Sequence, residues 1–318
     1  MKDELMSQII KVSSYLPNNS LNNHQLINQY QLDSSDEWIQ QRTGIKQRYF
    51  SDEEETVANM AIKAAQNLLK DCDASIINKI GLIIVASMSS KLPTPSVANQ
   101  VQAAIQANNA WGFDINGACA AFVKGIDIAE KFARVYEDTY TLLIGVEKMS
   151  DILDFTDRSS CVLFGDGAGA ILIHNDASSF THYRSELYAI GDTMGAIELN
   201  RQTDELMSMK GRDVFNFVSR NVIRSLKTFI ETDEQASELI ICHQANQRLI
   251  DLVIKKLSVN PEIVPSNIAQ VANLSAASIP VLMHQLNTEH RLRFDGTQHI
   301  TLCAFGGGLA WGNISLTV

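Results

Sequence analysis

The sequence contains two pairs of matching segments, which indicate an internal duplication. Residues 164–173 (FGDGAGAILI) and residues 305–316 (FGGGLAWGNISL) each begin with a glycine cluster and continue as an alternating apolar strand. Residues 80–87 (IGLIIVAS) and residues 238–245 (ELIICHQA) are both apolar runs of the kind found in strands buried on two faces. The pairs recur in the same order at similar intervals. We therefore predict two related halves, residues 1–174 and residues 175–318, which share one core.

Amphipathic helices are predicted in the gaps between these strands. Apolar residues recur at three- and four-residue spacing over residues 56–70, 120–135 and 214–231. Alternation of strands and helices along the whole chain is typical of an α/β protein, here with helices covering two sheets.

Composition excludes several classes of function. The longest apolar runs, such as residues 80–86, are far shorter than the ~20 residues of a membrane-spanning helix, so no membrane span is expected. A net charge of −10 disfavours nucleic acid or an anionic membrane as the main partner. The N-terminal segment has no apolar signal core, which favours a cytoplasmic location. Five cysteines without a CxxC, and histidines without an HExxH, predict neither a disulfide framework nor a metal site.

Cys119 has the local setting of a reactive thiol. A predicted strand over residues 111–116 enters a turn at Gly117, and a helix begins at the cysteine. The unpaired amides and the dipole of a helix N-terminus favour an anion and would lower the pKa of a thiol there. The segment is equally compatible with a small buried cysteine under a packed helix. Cys161, Cys242 and Cys303 lie in or beside apolar strands and are predicted to be inert.

Three further features are candidates for chemistry. His243 follows the apolar run LIIC, at a strand end of the kind that holds catalytic side chains, although a lone histidine is more often structural. Asn273 precedes a Ser/Ala-rich helix start, where an ordinary N-cap is the simpler interpretation. Residues 306–308 are three glycines, suited either to a tight turn or to an amide that stabilises an oxyanion.

Several ordered motifs together resemble the β-ketoacyl-acyl carrier protein synthase III family. The resemblance extends along nearly the whole chain and implies a thiolase-like fold, in which two pseudo-repeated halves make a five-layered αβαβα structure. The motifs are SSDEWIQQRTGI at residues 34–45, DINGACAAF at 114–122, DRSSCVLFGDGAGA at 157–170, MKGRDVFNF at 209–217, HQANQRL at 243–249, NLSAASIP at 273–280 and AFGGGLAWG at 304–312.

The resemblance implies a decarboxylative Claisen condensation that initiates fatty acid biosynthesis. A short acyl-CoA primer would acylate Cys119, and malonyl-acyl carrier protein would then condense with it, giving 3-oxoacyl-acyl carrier protein, CoA and CO2. His243 and Asn273 would stabilise the enolate, and the amides of Cys119 and Gly307 would form the other oxyanion hole. Acyl-CoA is a substrate here, and no cofactor is expected. A homodimer is expected as well.

The resemblance also assigns binding residues. Trp38, Arg42 and Arg158 match positions that hold the adenine and phosphates of CoA, since an aromatic face stacks on a base and guanidinium groups suit phosphate. The helix after residue 243 is predicted to dock the acidic carrier protein, because Arg248 and Lys255 share a face. The residues predicted for docking are Gln244, Arg248, Lys255 and Lys256.

The sequence departs from the family pattern at positions that bear on substrate range. The usual Gly-Asn-Thr-Ser is Ala272-Asn273-Leu274-Ser275, which predicts a less rigid Asn273. Thr94 replaces a common aromatic residue, and the segment over residues 188–209 is short. The alternatives are a related condensing enzyme or acyltransferase of secondary metabolism, a Cys-His-Asn hydrolase and an inactive scaffold. A papain-like hydrolase would carry its cysteine near the N-terminus, and a scaffold would be expected to lose one of the three polar residues.

Overall fold

The computed structural model describes residues 7–176, 182–192, 195–200 and 206–318. The strands are β1 (Ser7–Tyr15), β2 (Asn19–Asn22), β3 (Gln47–Phe50), β4 (Ile80–Ala86), β5 (Trp111–Ile115), β6 (Thr139–Glu147), β7 (Gly167–Asn175), β8 (Tyr183–Ala189), β9 (Ile197–Glu198), β10 (Ser208–Met209), β11 (Leu239–Cys242), β12 (His299–Gly306) and β13 (Ala310–Thr317). The α-helices are α1 (Asn23–Tyr30), α2 (Asp36–Thr43), α3 (Val57–Leu69), α4 (Ala74–Asn78), α5 (Val97–Ile105), α6 (Ala121–Ala133), α7 (Gly211–Phe217), α8 (Ile223–Glu231), α9 (Gln247–Leu257), α10 (Ile268–Val271) and α11 (Ser278–Thr288).

The two main sheets share a four-stranded arrangement, to which β5 adds a fifth strand in the first sheet. In the first, with the order β1-β7-β6-β4-β5, β4 runs parallel to β5 and β6, and β7 runs antiparallel to β6 and β1. In the second, with the order β11-β12-β13-β8, β11 is parallel to β12, and β13 is antiparallel to β12 and β8. The segments matched in the sequence thus become β4 with β11 and β7 with β13. The proposed boundary between the halves, at residues 174 and 175, falls at the end of β7.

The five layers of the fold form because the apolar faces of the helices pack against the apolar faces of the two sheets. Helices α6 and α11 lie between the sheets, and their side chains, such as Phe122 and Leu282, pack with Leu143 of the first sheet and Leu302 of the second. Helices α3 and α5 cover the outer face of the first sheet, while α8 and α9 cover that of the second. The predicted αβαβα arrangement is confirmed, with a central core to which both halves contribute.

The three amphipathic helices predicted from periodicity are present, with one difference. Helix α3 begins after Thr56, whose side chain accepts from the Asn59 N–H in a reciprocal capping box. Helix α6 is preceded by a single 3-10 turn over Ala118–Ala120. The helix expected over residues 214–231 starts earlier, at Gly211, and one π-helical turn at Val218–Val222 divides it into α7 and α8. In the described ranges, no helix is both long and apolar enough to cross a bilayer.

Candidate active site

Cys119 lies at the junction between the two halves. Strand β5 leads into the 3-10 turn that holds it, and Ala118 there has a φ of 47°. The turn contacts the C-terminal end of β12 so closely that a Cβ at Gly306 would lie 2.7 Å from the backbone nitrogen of Cys119. A glycine at this position therefore allows the second sheet to approach the cysteine.

A cavity of about 110 Å³ surrounds the thiol. Cys119, His243, Asn273 and Gly307 all line it, so the structure brings together the residues predicted for both oxyanion holes. The rest of the lining is mostly apolar and comes from both halves. These apolar residues are Met88, Ala118, Leu163, Phe164, Ile197, Met207, Met209, Val214, Phe215, Ala245, Leu249 and Phe305.

The prediction of a lowered thiol pKa is wrong for the site in this state. Burial raises the pKa of Cys119 to about 12, the hydrogen bond to Ser275 opposes that rise, and the nearby charge of Glu147 adds to it. The thiol donates to Ser275 Oγ at 3.3 Å. Dehydration of the sulfur therefore outweighs the hydrogen bonds that favour the thiolate, and the site needs a proton acceptor to form one.

His243 is held by its backbone and by the packing of its ring. Its N–H donates to the Cys303 carbonyl at 2.8 Å, and its ring meets the edge of Phe305 with centroids 5.2 Å apart. Burial lowers the pKa of the imidazole to about 3. The ring is therefore neutral near pH 7 and presents an N–H donor without a charge. Its Nδ1 makes no hydrogen bond to any residue that the structure describes.

Asn273 is held by hydrogen bonds of both its backbone and its side chain. Its N–H donates to the Leu163 carbonyl at 3.0 Å, and its carbonyl accepts from the Gly165 N–H at 3.1 Å. Its side-chain oxygen accepts from the Ser275 N–H at 2.8 Å. Because the oxygen is occupied, the amide NH2 group is the part left to face the cavity. These hydrogen bonds fix the orientation of Asn273, and its lower rigidity relative to the family pattern stays a prediction.

The residues predicted to hold CoA form one cluster. Two guanidinium groups contact the indole of Trp38, on α2, with the Arg42 Cζ 5.5 Å and the Arg158 Cζ 5.1 Å from the ring centroid. Trp38 is half-buried and both arginines are exposed. Arg158 also donates to the Asp33 carbonyl, and the Arg42 carbonyl accepts from Asn246 Nδ2 at 3.1 Å. The cluster thus lies beside the start of α9.

Helix α9 has the exposed basic face that the sequence predicts, but Gln244 is not part of it. Arg248, Lys255 and Lys256 are exposed, whereas Leu249 is buried against the sheet. Gln244 has no exposed surface. Its Nε2 donates to the Cys242 carbonyl, and its Oε1 accepts from Ser266 Oγ and from the Asn267 N–H. Gln244 is a structural residue beneath the helix, so its assignment to carrier-protein docking is wrong.

Two polar residues of the site were not identified from the sequence. Ser275 contacts the thiol, and Glu147, completely buried at the end of β6, accepts from Ser275 Oγ at 3.1 Å. Burial raises the pKa of Glu147 to about 7. A signal for Glu147 is present in the sequence, since a carboxylate ends the apolar run TLLIGVE where a buried strand gives way to a turn.

One group of potential metal ligands lies at the other end of β12 from Gly306. His182, Asp233 and His299 are within reach of one another, with His182 Nε2 3.0 Å from an oxygen of Asp233. His299 Nε2 bonds to Ser315 Oγ at 2.8 Å. These contacts are those of an ion-pair and hydrogen-bond cluster, and the absence of a metal site stays a prediction.

The five-layered fold with a cysteine, a histidine and an asparagine around one cavity defines a thiolase-like condensing enzyme. Comparison with known families gives a closer assignment. Residues 113–191 match the 3-oxoacyl-acyl-carrier-protein synthase III model, and residues 231–318 match the C-terminal model of the same family. The chain belongs to the 3-oxoacyl-acyl-carrier-protein synthase III family, and its activity is that of a condensing acyltransferase of fatty acid biosynthesis.

Individual relatives agree with this assignment. A β-ketoacyl-acyl-carrier-protein synthase III of Streptococcus sanguinis is 38% identical, over 98% of this chain and 99% of the relative. The crystal structure of 3-oxoacyl-acyl-carrier-protein synthase III from Aquifex aeolicus superposes with a TM-score of 0.90 at 36% identity, over 98% of this chain and 100% of that one. The priming β-ketosynthase of the R1128 polyketide pathway gives a TM-score of 0.89 at 26% identity, over 100% of this chain and 98% of that one.

Proposed function

We propose that Cys119 is the nucleophile of a two-stage condensation, first acylated by a short acyl-CoA and then attacked by a malonyl-acyl carrier protein. The observation that carries this proposal is the convergence of Cys119, His243, Asn273 and Gly307 on one cavity. In the first stage the sulfur attacks the thioester carbonyl, and the CoA thiolate leaves and takes up a proton. The oxyanion is stabilised by the amides of Cys119 and Gly307.

In the second stage the bond between the malonyl carboxylate and the adjacent carbon breaks, which releases CO2 and leaves an enolate. Its oxygen accepts hydrogen bonds from the neutral His243 ring and from the NH2 group of Asn273. The enolate carbon then attacks the acyl-Cys119 carbonyl, and the carbon–sulfur bond breaks. This step gives the 3-oxoacyl thioester of the carrier protein and releases the Cys119 thiolate, which takes up one proton to restore the thiol. Donors without a net charge suit this step, because an imidazolium would also hold the carboxylate that must leave.

The size and lining of the cavity support a short primer. A volume of about 110 Å³ has room for an acyl chain of a few carbon atoms, and the apolar walls favour burial of its methylene groups. Three of the lining side chains are the flexible methionines Met88, Met207 and Met209, which adapt to irregular shapes.

The surface features support the proposed partners. Trp38, Arg42 and Arg158 form an aromatic and cationic cluster of the kind that binds the adenine and phosphates of CoA. The exposed cations of α9 are complementary to an acidic carrier protein.

The nucleophile and the donors are side chains and amides of the chain itself, which supports a reaction without a cofactor. The same substrates favour a cytoplasmic location.

A homodimer formed along the edge of the first sheet is part of the same proposal. Strand β5 is the last strand of that sheet, and its outer edge has no partner among the described strands. Trp111 is 46% exposed, and it contacts Phe113 and Phe132 in an aromatic cluster that extends to the exposed Tyr136. An exposed edge strand with apolar side chains favours pairing with a second copy.

The test is to incubate the purified protein with a series of acyl-CoA esters of increasing chain length and to weigh the intact protein. We expect a mass gain of one acyl group with the shorter esters and none in Cys119→Ser, whose hydroxyl is a far weaker nucleophile. Cys161→Ser is the matched control and should acylate normally. A mass gain retained in Cys119→Ser would move the nucleophile elsewhere.

A further inference from the structure

We propose that Ser275 and Glu147 form a proton relay for Cys119, in which the Ser275 hydroxyl takes the thiol proton and passes its own proton to the Glu147 carboxylate. This inference rests on the proposed role of Cys119 as the nucleophile. It assigns to the acylation stage a proton acceptor other than His243.

The hydrogen bonds form a continuous chain from sulfur to carboxylate. The Cys119 thiol donates to Ser275 Oγ at 3.3 Å, and Ser275 Oγ donates to Glu147 Oε1 at 3.1 Å. Each donor in this chain already points toward the next acceptor, so a proton can move without rearrangement of the side chains. His243 makes no hydrogen bond to the thiol within the described residues, and its neutral ring with a pKa of about 3 is a weak proton acceptor.

The fold holds the two relay residues close together. Glu147 is the last residue of β6, and Ser275 begins the 3-10 turn Ser275–Ala277 that packs against this strand. At Gly145, an added Cβ would lie 2.4 Å from the Ala276 carbonyl oxygen, so only glycine permits this approach. Ser275 itself has a φ of 50°, a left-handed conformation. Such a backbone conformation is costly and is often found at functional sites.

The remaining contacts of Glu147 keep its carboxylate ready to accept a proton. It is buried, and its hydrogen-bond donors among the described residues are neutral, namely the hydroxyls of Ser87, Ser89 and Ser275 and the N–H groups of Met88 and Ser89. Burial raises its pKa to about 7, well above that of an exposed glutamate. A carboxylate with this pKa is ionised in part near neutral pH and can hold a proton there.

The charged and ionisable groups near Glu147 do not take over its role as the proton acceptor. Lys148 is adjacent in sequence, but its Nζ bonds to the carbonyls of Asp52 and Glu55 and lies 3.6 Å from Asp151. His243 is neutral, and Cys119 is the ionisable group that faces Glu147 through Ser275. Ionising both Cys119 and Glu147 would place two negative charges in one buried space, which is unfavourable. Transfer of the proton along the relay keeps a single negative charge there.

The proton balance of acylation then closes without solvent. The thiol proton reaches Glu147 as the sulfur attacks the acyl-CoA carbonyl. When the carbon–sulfur bond to CoA breaks, the CoA thiolate takes up one proton, and Glu147 returns to its ionised form. Acylation therefore needs ionised Glu147, and its rate should rise as the pH rises through the pKa of that group and then level off.

The experiment measures the rate of Cys119 acylation against pH by intact-protein mass in rapid-quench samples. The wild-type rate should rise and reach a plateau above a midpoint near the pKa of Glu147, about 7. In Glu147→Gln and in Ser275→Ala, acylation at neutral pH should fall by ~10²-fold or more, and the plateau should be replaced by a steady rise toward alkaline pH. Malonyl decarboxylation by enzyme acylated beforehand should change little in Glu147→Gln.

Ser89→Ala is the matched control. It removes one hydroxyl that donates to Glu147 but leaves the path from the thiol intact. In Ser89→Ala, the acylation rate should still reach a plateau as pH rises. The midpoint should lie at higher pH, because the ionised Glu147 carboxylate loses a hydrogen-bond donor. A wild-type plateau that survives in folded Glu147→Gln or Ser275→Ala would overturn the relay. Absence of any wild-type acylation would instead contradict the proposed function.

Discussion

Asn273 and Ser275 are joined by a hydrogen bond of 2.8 Å, in which the Ser275 N–H donates to the Asn273 side-chain oxygen. This contact fixes the amide so that its NH2 group remains for the substrate. The hydroxyl of the same Ser275 contacts the Cys119 sulfur. In the proposed reaction, Ser275 would thus orient a donor for condensation through its backbone and contact the nucleophile of acylation through its side chain.

Removal of either enolate donor should separate the two half-reactions. In His243→Ala and Asn273→Ala, we expect malonyl decarboxylation to fall by ~10²-fold or more, the usual loss for an oxyanion donor, while Cys119 still acylates. Release of CO2 and intact-protein mass measure the two stages. Asn273→Asp is an isosteric control that replaces the NH2 donor with an acceptor, so it should lose decarboxylation too. Equal loss of both stages would favour His243 as the base for the thiol.

Decarboxylation should not depend on the ionisation of His243 near neutral pH. Burial lowers the pKa of the ring to about 3, below its ordinary value, so the ring stays neutral as pH falls from about 8 to about 5. We expect the decarboxylation rate of enzyme acylated beforehand to be flat over this range. An inflection near the pKa of an exposed histidine, about 6.5, that disappears in His243→Gln would contradict a buried neutral ring.

Ala272 is a site where a glycine should stabilise the protein. Its φ of 62° with ψ of −163° lies in a region that is essentially restricted to glycine. Relief of ~1–3 kcal/mol of strain exceeds the ~0.5–1 kcal/mol entropic cost of glycine, so Ala272→Gly should raise the free energy of unfolding by about 1 kcal/mol. Thermal and denaturant unfolding measure this change. Ala276→Gly is the control, which should be destabilising, since Ala276 has no positive φ.

These residues show which parts of the site local sequence can predict. The paired segments and helical periodicity predict the two sheets and the helices around them, because strand and helix patterns are local. The lowered pKa assigned to Cys119 is wrong because burial depends on side chains from the other half. The assignment of Gln244 to docking is wrong because its side chain bonds to Ser266 and Asn267, which lie on a distant turn. Local sequence marks Glu147 as the polar end of a buried strand but does not predict its contact with Ser275, which is 128 residues away.

The edge of β5 should control assembly. If two copies pair along this strand, Trp111→Lys places a charge in the interface, and the protein should sediment as a monomer of 35.2 kDa at concentrations where the wild type is a dimer. Leu187→Lys is the matched control, because Leu187 is an exposed apolar residue on β8, the edge strand of the second sheet. A wild type that sediments as a monomer at working concentration would reject the dimer.

The basic face of α9 should affect the carrier-protein stage alone. Arg248 is exposed at the start of the helix, with Lys255 and Lys256 near its end, and the chain as a whole is acidic. Attraction of an acidic carrier protein must therefore be local, and salt screens it over a Debye length of ~8 Å at physiological ionic strength. We expect Arg248→Glu to raise the KM for malonyl-acyl carrier protein, with a larger effect at low salt than at high salt.

The control for this prediction makes the same charge change at a remote surface. Arg293 lies on the loop that precedes β12, at the opposite end of that strand from Gly306, and its contacts are exposed ion pairs with Glu238 and Asp295. Such pairs contribute little to stability, so Arg293→Glu should leave carrier-protein kinetics unchanged. Acylation of Cys119 by acyl-CoA should change little in either variant. If Arg248→Glu and Arg293→Glu raise the KM equally at low salt, the effect is one of net charge, and α9 is not the docking surface.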